Sequence, residues 1–278
     1  MPELPEVETV MRGLQARLEG RVLRRAVARR PDLRWPLPPG LAARLTGARV
    51  TSFRRRAKYI LMRLDSGWSV LLHLGMSGRM LLEPVGRNDI TLHEHLELET
   101  DDGWRVGFVD PRRFGSVDLI ETEREDQHRL LAGLGPEPLD DAFSVSVLEA
   151  ALRGKKTPIK AALLDQRVVA GLGNIYVSEA LFLAHISPKK LAGAVKKEQI
   201  AALVKAIKAV LKDAIAAGGS TLRDHAQATG DPGSFQHRFR VYDREGQPCR
   251  NTGTKCRGVV KRIVQGGRST FYCPACQK

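Results

Sequence analysis

Apolar residues recur at helical spacing at Val7, Val10, Met11, Leu14 and Leu18, which predicts an amphipathic helix over about residues 5–18. Pro5 suits its first turn, where a missing N–H costs little, and Gly20 ends it. From there to about residue 120 the pattern is that of short strands. Apolar runs at 59–64 and 68–74 flank Asp65-Ser66-Gly67, the pattern of a hairpin. Further strands fit 95–100, 104–109 and 116–120, with Asp101-Asp102-Gly103 turning between the first two. One helix followed by several antiparallel strands predicts a β-sandwich or barrel-like N-terminal domain.

The second half changes character. Residues 121–144 are charged and rich in glycine and proline, which predicts a linker. Helical patterns then dominate, so the whole chain reads as α+β. Pro158 opens one segment running through Ile159, Ala162, Leu163 and Leu164. A tight turn at 170–173 leads into a second helix ending near Ala184. Ile200, Leu203, Val204, Ile207, Val210 and Leu211 form the core stripe of a long helix that stops at Gly218-Gly219. The polar stretch at 222–236, with Gly230, Pro232 and Gly233, reads as a mobile loop.

Charge narrows the function. The 278 residues suffice for two domains, and a hydrophobic content of 42% supports true cores. No run of about 18 apolar residues predicts a membrane span, and no charged-then-apolar start predicts a secretion signal. A cytoplasmic protein is expected. The formal charge is +14 and the pI about 10.0, which favours polyanions, nucleic acid above all. The basic residues also cluster, as in Arg54-Arg55-Arg56-Ala57-Lys58, Arg112-Arg113, Lys155-Lys156 and Lys189-Lys190.

Several residues carry candidate chemistry. If Met1 is removed, Pro2 carries a free secondary amine, and an α-amino group with a pKa of about 7.7–8 is partly unprotonated at neutral pH. Such an amine attacks carbon at the aldehyde oxidation level, the strategy of Schiff-base enzymes, with Glu3 beside it to handle a proton. The plainer reading is an ordinary helix start, where acidic residues suit the dipole. Lys58, before an apolar strand, reads by itself as a solvated strand-end cation. Gly75 and Gly78 bound a turn that leaves Met76 at a loop tip, where it could act as a flexible apolar wedge. Asp110-Pro111-Arg112-Arg113-Phe114-Gly115 is a second exposed turn, with guanidinium groups beside an aromatic ring. His93 and His95 flank Glu94 and read as structural without further ligands. Gly171-Leu172-Gly173 before a helix offers backbone amides to a phosphate, and no βαβ unit surrounds it to suggest a dinucleotide site.

The four cysteines all lie between residues 249 and 276. Such concentration points to a local metal site, with disulfides the alternative. Cys273 and Cys276 have Cys-x2-Cys spacing, whereas Cys249 and Cys256 enclose six residues, wider than the usual two to four. Four thiolates suit one tetrahedral, structural zinc ion.

Across nearly its full length the chain resembles the formamidopyrimidine-DNA glycosylase and endonuclease VIII family. The resemblance rests on residues 2–10 (Pro-Glu-Leu-Pro-Glu-Val-Glu-Thr-Val), on the Ala57-Lys58-Tyr59 context and on the Met76 and Arg112–Phe114 turns. It continues through Ile159-Lys160, Leu163–Gln166, Gly171–Asn174, Pro232-Gly233-Ser234-Phe235-Gln236 and the cysteine hairpin. It implies an N-terminal β-sandwich domain with an N-terminal helix over 1–133. A helix–two-turn–helix DNA-binding domain would follow over 145–228, then a β-hairpin zinc finger over 237–278. It also implies a glycosylase and abasic-site lyase of base excision repair that acts on 8-oxoguanine and formamidopyrimidines in double-stranded DNA. Pro2 would be the nucleophile, Glu3 its acid/base partner, Lys58 a phosphate-binding aid to elimination and Arg268 the grip on phosphates flanking the lesion, supported by Tyr242. His73 and Asn174 would touch phosphate. Met76, Arg112 and Phe114 would fill the gap left by the flipped base, and the 222–236 loop would cover that base. Lys160 shares this context. The expected protein is a monomer in the bacterial cytoplasm, on the nucleoid when bound. An endonuclease VIII-like preference for oxidised pyrimidines, or a non-catalytic DNA-binding protein, would share many of these features.

Overall fold

The computed structural model describes residues 2–86, 92–221, 228, 230–251 and 256–278. The chain divides into two compact units, residues 1–132 with 217–234 and residues 133–216 with 235–278.

The first unit is a β-sandwich with a helix. Helix α1 (Leu4–Leu18) buries Leu4, Val7, Val10, Met11, Leu14 and Leu18, the stripe expected from the periodicity. Strands β1 (Leu23–Ala28), β5 (Arg79–Pro84), β6 (Glu94–Thr100) and β7 (Trp104–Val109) form one antiparallel sheet in the order β1-β6-β7-β5. Strands β2 (Val50–Arg56), β3 (Tyr59–Leu64), β4 (Trp68–His73) and β8 (Ser116–Glu121) form the other, in the order β2-β3-β4-β8. A short helix, α2 (Leu41–Leu45), joins β1 to β2. The expected hairpin is β3–β4, with Ile60 opposite Leu72 and Met62 opposite Val70. Inward residues of both sheets and α1 share one apolar cluster, including Val10, Leu14, Ile60, Leu72, Leu98 and Phe108. Each such fully buried side chain contributes about 1.5–3 kcal/mol, so the sheets are held chiefly through this layer.

The outer sheet faces are polar yet covered. On β7, Arg105 donates to Glu83, Glu94 and Glu97, and all of these except Glu83 are buried. On the opposite sheet, Glu125 accepts from Arg54, Arg63 and Ser69. Glu125 lies in a 3-10 turn, Thr122–Gln127, within the stretch whose composition suggested a linker. Glu125 faces the strands while Glu123, Arg124 and Asp126 beside it are exposed, so the beginning of that stretch is anchored to the sandwich through one buried carboxylate. Ala228 also belongs to this unit, since its carbonyl accepts the Leu82 N–H at 2.9 Å.

The second unit is helical with a β-hairpin. It contains α3 (Val145–Leu152), α4 (Ile159–Leu164), α5 (Asn174–Leu183) and α6 (Lys197–Ala216), then β9 (Lys261–Gln265) and β10 (Arg268–Tyr272). Every residue of α5 from Ile175 to Phe182 is buried, which makes it the central helix. Its one carboxylate, Glu179, accepts the backbone N–H groups of Arg240, Val241 and Tyr242 at 2.9–3.1 Å. An aromatic series, Tyr176, Phe235, Phe239, Tyr242 and Phe271, then runs from α5 to the hairpin with centroid spacings of 5.1–5.8 Å.

Candidate active site and nucleic-acid interface

Pro2 is buried immediately before α1, and Glu3 stands at the helix N-cap with 3% of its surface exposed. Glu6, one turn in, fixes this end of the helix. Its Oε2 accepts the Glu3 N–H at 2.9 Å and its Oε1 accepts the Ser220 N–H at 2.7 Å. Gly219 is left-handed there (φ +79), and a Cβ on it would stand 3.2 Å from Glu6 Cγ. Glu6 thus joins the helix start to residues 219–220. A glutamate three residues after a cap is a sequence signal for this reciprocal bonding, and only its Ser220 partner is hidden from the sequence.

Glu8, on the next turn, receives Arg55 Nε at 2.7 Å, and Arg55 also donates to the Ala57 carbonyl at 3.0 Å. This arginine ties α1 to the β2–β3 turn, where Ala57 adopts φ +52 and Lys58 is buried. Lys58 is therefore not the solvated strand-end cation that its context alone suggests. The aromatic ring of the next residue, Tyr59, lies 4.8 Å from the ring of His73.

His73 is held neutral. Burial pushes its pKa down to about 4, and the positive charges of Lys58 and Arg34 add to the shift against the opposing Asp110. Its Nδ1 accepts the Gly75 N–H at 3.0 Å, so the ring proton resides on Nε2 as a single donor. A cavity of about 550 Å³ lies alongside, lined by Arg34, His73, Gly75, Met76, Arg112 and Phe114 among others.

The two turns that spacing alone does not pair are joined here by Asp110. This fully buried carboxylate accepts Ser77 Oγ–H at 2.6 Å and the Gly115 N–H at 2.7 Å. Ser77 Oγ in turn accepts the Arg112 N–H at 3.3 Å. Gly75 packs so closely that a Cβ would fall 2.4 Å from Gly115 N, so only glycine permits the approach. Met76 and Phe114 project side by side with Arg112 into this cavity as 41% and 45% exposed apolar side chains. The Arg112 guanidinium stacks 4.7 Å from the Phe114 centroid. His95 is buried and bonded to the Asp110 carbonyl at 2.8 Å, whereas His93 precedes β6 with φ +67 and is exposed. The pair does not act as two metal ligands on one strand face.

Asn174, Tyr242 and Arg268 belong to the second unit. Asn174 opens α5, and its Nδ2 donates to the Ser269 carbonyl at 2.9 Å. Lys160, only 1% exposed, donates to the same carbonyl at 3.0 Å and to Thr270 Oγ1 at 2.6 Å, which makes it a buried anchor of β10. Gly266 and Gly267, both left-handed, turn the β9–β10 hairpin and present Arg268 exposed at its tip. The Tyr242 ring packs on Phe271 of that hairpin. Residues 222–227 and 229 of the loop expected to cover the lesion lie outside the described residues.

The four cysteine sulfurs lie within 4.8 Å of one another, with Cys249–Cys276 and Cys256–Cys273 at 3.7 Å. A disulfide bond measures about 2.05 Å, so these are free thiols. Tetrahedral zinc with bonds of about 2.3 Å separates its sulfurs by about 3.8 Å, which this spacing matches. Burial and neighbouring thiols push Cys249 up to about 11 and also raise Cys276, a penalty that a divalent cation would reverse. Cys273 is lowered: burial opposes ionisation, but donors including the Cys276 and Ala275 N–H groups outweigh it. The wide Cys249–Cys256 spacing therefore still closes a four-sulfur site. Four protein ligands leave no open position, so one zinc ion here is structural.

Three family models match the chain in sequence order. They are the formamidopyrimidine-DNA glycosylase N-terminal domain over residues 1–117, the formamidopyrimidine-DNA glycosylase H2TH domain over 134–226, and the zinc finger found in FPG and IleRS over 246–278. A formamidopyrimidine-DNA glycosylase of Acidiphilium cryptum is 63% identical over 279 residues, covering all of both chains. One of Paracoccus denitrificans is 62% identical over 285 residues, again covering both completely. Among solved structures, the MutM (Fpg) protein of Thermus thermophilus superposes with a TM-score of 0.87 at 41% identity, covering 99% of this chain and 98% of that one. A Lactococcus lactis FPG mutant in complex with Fapy-dG-containing DNA gives 0.90 at 34% identity, with both chains fully covered.

Proposed function

This chain belongs to the formamidopyrimidine-DNA glycosylase family, and from that premise we propose that Pro2 is the nucleophile with which it excises 8-oxoguanine and formamidopyrimidines from duplex DNA. The enzyme is a DNA glycosylase of base excision repair with abasic-site lyase activity. The observation that carries the residue assignment is the buried start of α1, where Glu6 pins the Glu3 backbone beside Pro2.

In this reading, with Met1 removed, the Pro2 nitrogen attacks C1′ of the damaged nucleotide and the C1′–base bond breaks. Glu3 carries a proton to the sugar as its ring opens, leaving an iminium on Pro2. Loss of a C2′ proton then expels the 3′ phosphate, and a second elimination expels the 5′ phosphate, both assisted by Lys58. Water hydrolyses the remaining iminium and frees the amine. His73, as a neutral N–H donor, and Asn174, Tyr242 and Arg268 would bind phosphates, where Arg268 has the bidentate geometry suited to them. Met76, Arg112 and Phe114 would occupy the gap left by the extruded base, as apolar wedges do in kinked duplexes. The zinc ion held by Cys249, Cys256, Cys273 and Cys276 supplies the fold of the hairpin and takes no part in the chemistry. Functionally the chain divides into a catalytic part over 1–133, a helix–two-turn–helix part over 145–228 and a zinc finger over 237–278. Among the described residues no helix is long and apolar enough to cross a membrane. A monomer acting on chromosomal DNA in the cytoplasm fits this reading.

Borohydride trapping on an 8-oxoguanine:cytosine duplex, with the adduct located by peptide mass spectrometry, tests it. The expected adduct is on Pro2. Trapping only on oxidised pyrimidine duplexes would move the substrate to the endonuclease VIII type, and an adduct on a lysine would remove Pro2 from its role.

A further inference from the structure

The chain has three tryptophans, and each has an arginine stacked on it, but Trp35 differs from the others. It carries two. The guanidinium carbons of Arg34 and Arg129 lie 4.8 and 4.9 Å from its ring centroid. The two cations therefore stand within about one Debye length of each other at 0.1 M salt. Both side chains are exposed, and among the described residues neither has a carboxylate within ion-pair distance. Stacking at an exposed site is worth only about 0.5–1 kcal/mol per arginine, and like charges held near one ring repel. The arrangement holds two planar donor forks on one ring with no protein carboxylate, among the described residues, to offset their repulsion.

Its location connects it to the site. The Arg34 N–H donates to the Gly115 carbonyl at 3.1 Å, one residue beyond Phe114. The Arg34 side chain also lines the cavity shared by His73, Met76, Arg112 and Phe114. Both arginines act electrostatically on the Tyr59 hydroxyl, so their charges converge on the side of the sheet where Tyr59 meets His73.

We propose that Arg34 and Arg129, held by Trp35, form a clamp for a backbone phosphate of the DNA duplex next to the Met76 and Arg112–Phe114 turns. The clamp rests on the reading of that face as the DNA-binding face. Trp35 acts as the positioning residue: it presets both forks, so that little side-chain entropy is lost when a phosphate arrives. Arginine forks match phosphate oxygens in pairs, whereas the contact reads no base and serves register and affinity.

The test uses the full-length, zinc-loaded enzyme and a duplex containing a stable abasic-site analogue, with affinity followed by fluorescence anisotropy across a salt series. Each lost phosphate contact lowers the slope of log K against log salt by about 0.9. Because the two forks share one phosphate, R34Q and R129Q are each expected to flatten the slope by only part of that amount, and the double variant by about 0.9 in all. Lysine at both positions keeps the charges and is expected to restore most of the slope, which a folding defect would not allow. A double glutamine variant with the wild-type slope overturns the clamp. Borohydride trapping of the wild type separates the two readings. Trapping with an unchanged slope refutes the clamp alone. Salt-dependent binding without trapping refutes the glycosylase chemistry and leaves the clamp to be decided by the same slopes.

Discussion

Asp110 offers the sharpest test of how the two turns proposed to fill the gap are built. Its two carboxylate oxygens hold Ser77 Oγ at 2.6 Å and Gly115 N at 2.7 Å, with no exposed surface. Hydrogen bonds to a charged group are worth about 1.5–3 kcal/mol, and a buried N–H left without an acceptor costs about 1–3 kcal/mol. D110A removes both bonds and strands the Gly115 N–H, so a local cost of about 3–5 kcal/mol is expected. D110N is milder, because its oxygen can keep Gly115 while its amide donates to Ser77 Oγ, which already accepts from Arg112. If about half of the D110A cost falls on lesion extraction, excision of 8-oxoguanine slows about 10- to 60-fold, at 1.4 kcal/mol per tenfold, and D110N stays within about fivefold. The assay is single-turnover base release, set against strand cleavage at a preformed abasic site, where no base has to be extracted. The expected result is a large loss on the lesion with most abasic-site cleavage retained. Equal losses on the two substrates, from protein shown to be folded by thermal melting, would refute a role specific to the turns. Wild-type excision by D110A would refute the coupling altogether.

Three further outcomes are expected. His73 has a depressed pKa of about 4 in the folded enzyme against about 6.5 unfolded, so its neutral form contributes stability that is complete above pH 6.5 and falls by up to about 3 kcal/mol as the pH drops to 4. Glu125, whose burial penalty is outweighed by Arg63, Ser69 and Arg54 to give a pKa of about 2, adds a second loss below pH 4.5. Urea unfolding at a series of pH values reads both, and H73Q should flatten the upper segment only. E179A strands the N–H groups of Arg240, Val241 and Tyr242 and should cost about 3–5 kcal/mol in urea unfolding, with weaker DNA binding as Tyr242 loses its support; a cost below about 1 kcal/mol would show that the segment is held by its aromatic packing instead. Chelation should release one zinc per chain and abolish DNA binding, while the fluorescence of Trp35, Trp68 and Trp104, all in the first unit, stays unchanged. A tryptophan shift on metal loss would mean that the sandwich depends on the zinc finger.

What the sequence made legible divides by the range of the interactions involved. Helix α1 and the β3–β4 hairpin were readable because their signals are local: a 3.6-residue stripe, and two apolar runs about Asp65-Ser66-Gly67. The cysteine cluster was readable despite its wide first pair, because residue type alone restricts what four adjacent thiols can do. The polar composition of 121–144 predicts linker, and its beginning departs from that because Glu125 is buried against Arg54, Arg63 and Ser69. The same blindness covers Glu6, Asp110 and Glu179. Each is a buried carboxylate with at least one donor far away in sequence, at Ser220, at Ser77 and at residues 240–242 respectively. A periodicity argument ranks such residues with the solvent-facing positions, since it prices a charge without its partners. Burial of a carboxylate is tolerated only where hydrogen-bond donors converge on it, and those donors here are mostly backbone N–H groups, which carry no residue identity. Side-chain pattern can therefore point to the proposed nucleophile, the proposed wedges and the metal ligands, which act through their own chemistry. It cannot locate the carboxylates that hold them in register, because half of each such interaction is written in the fold and not in the residue types.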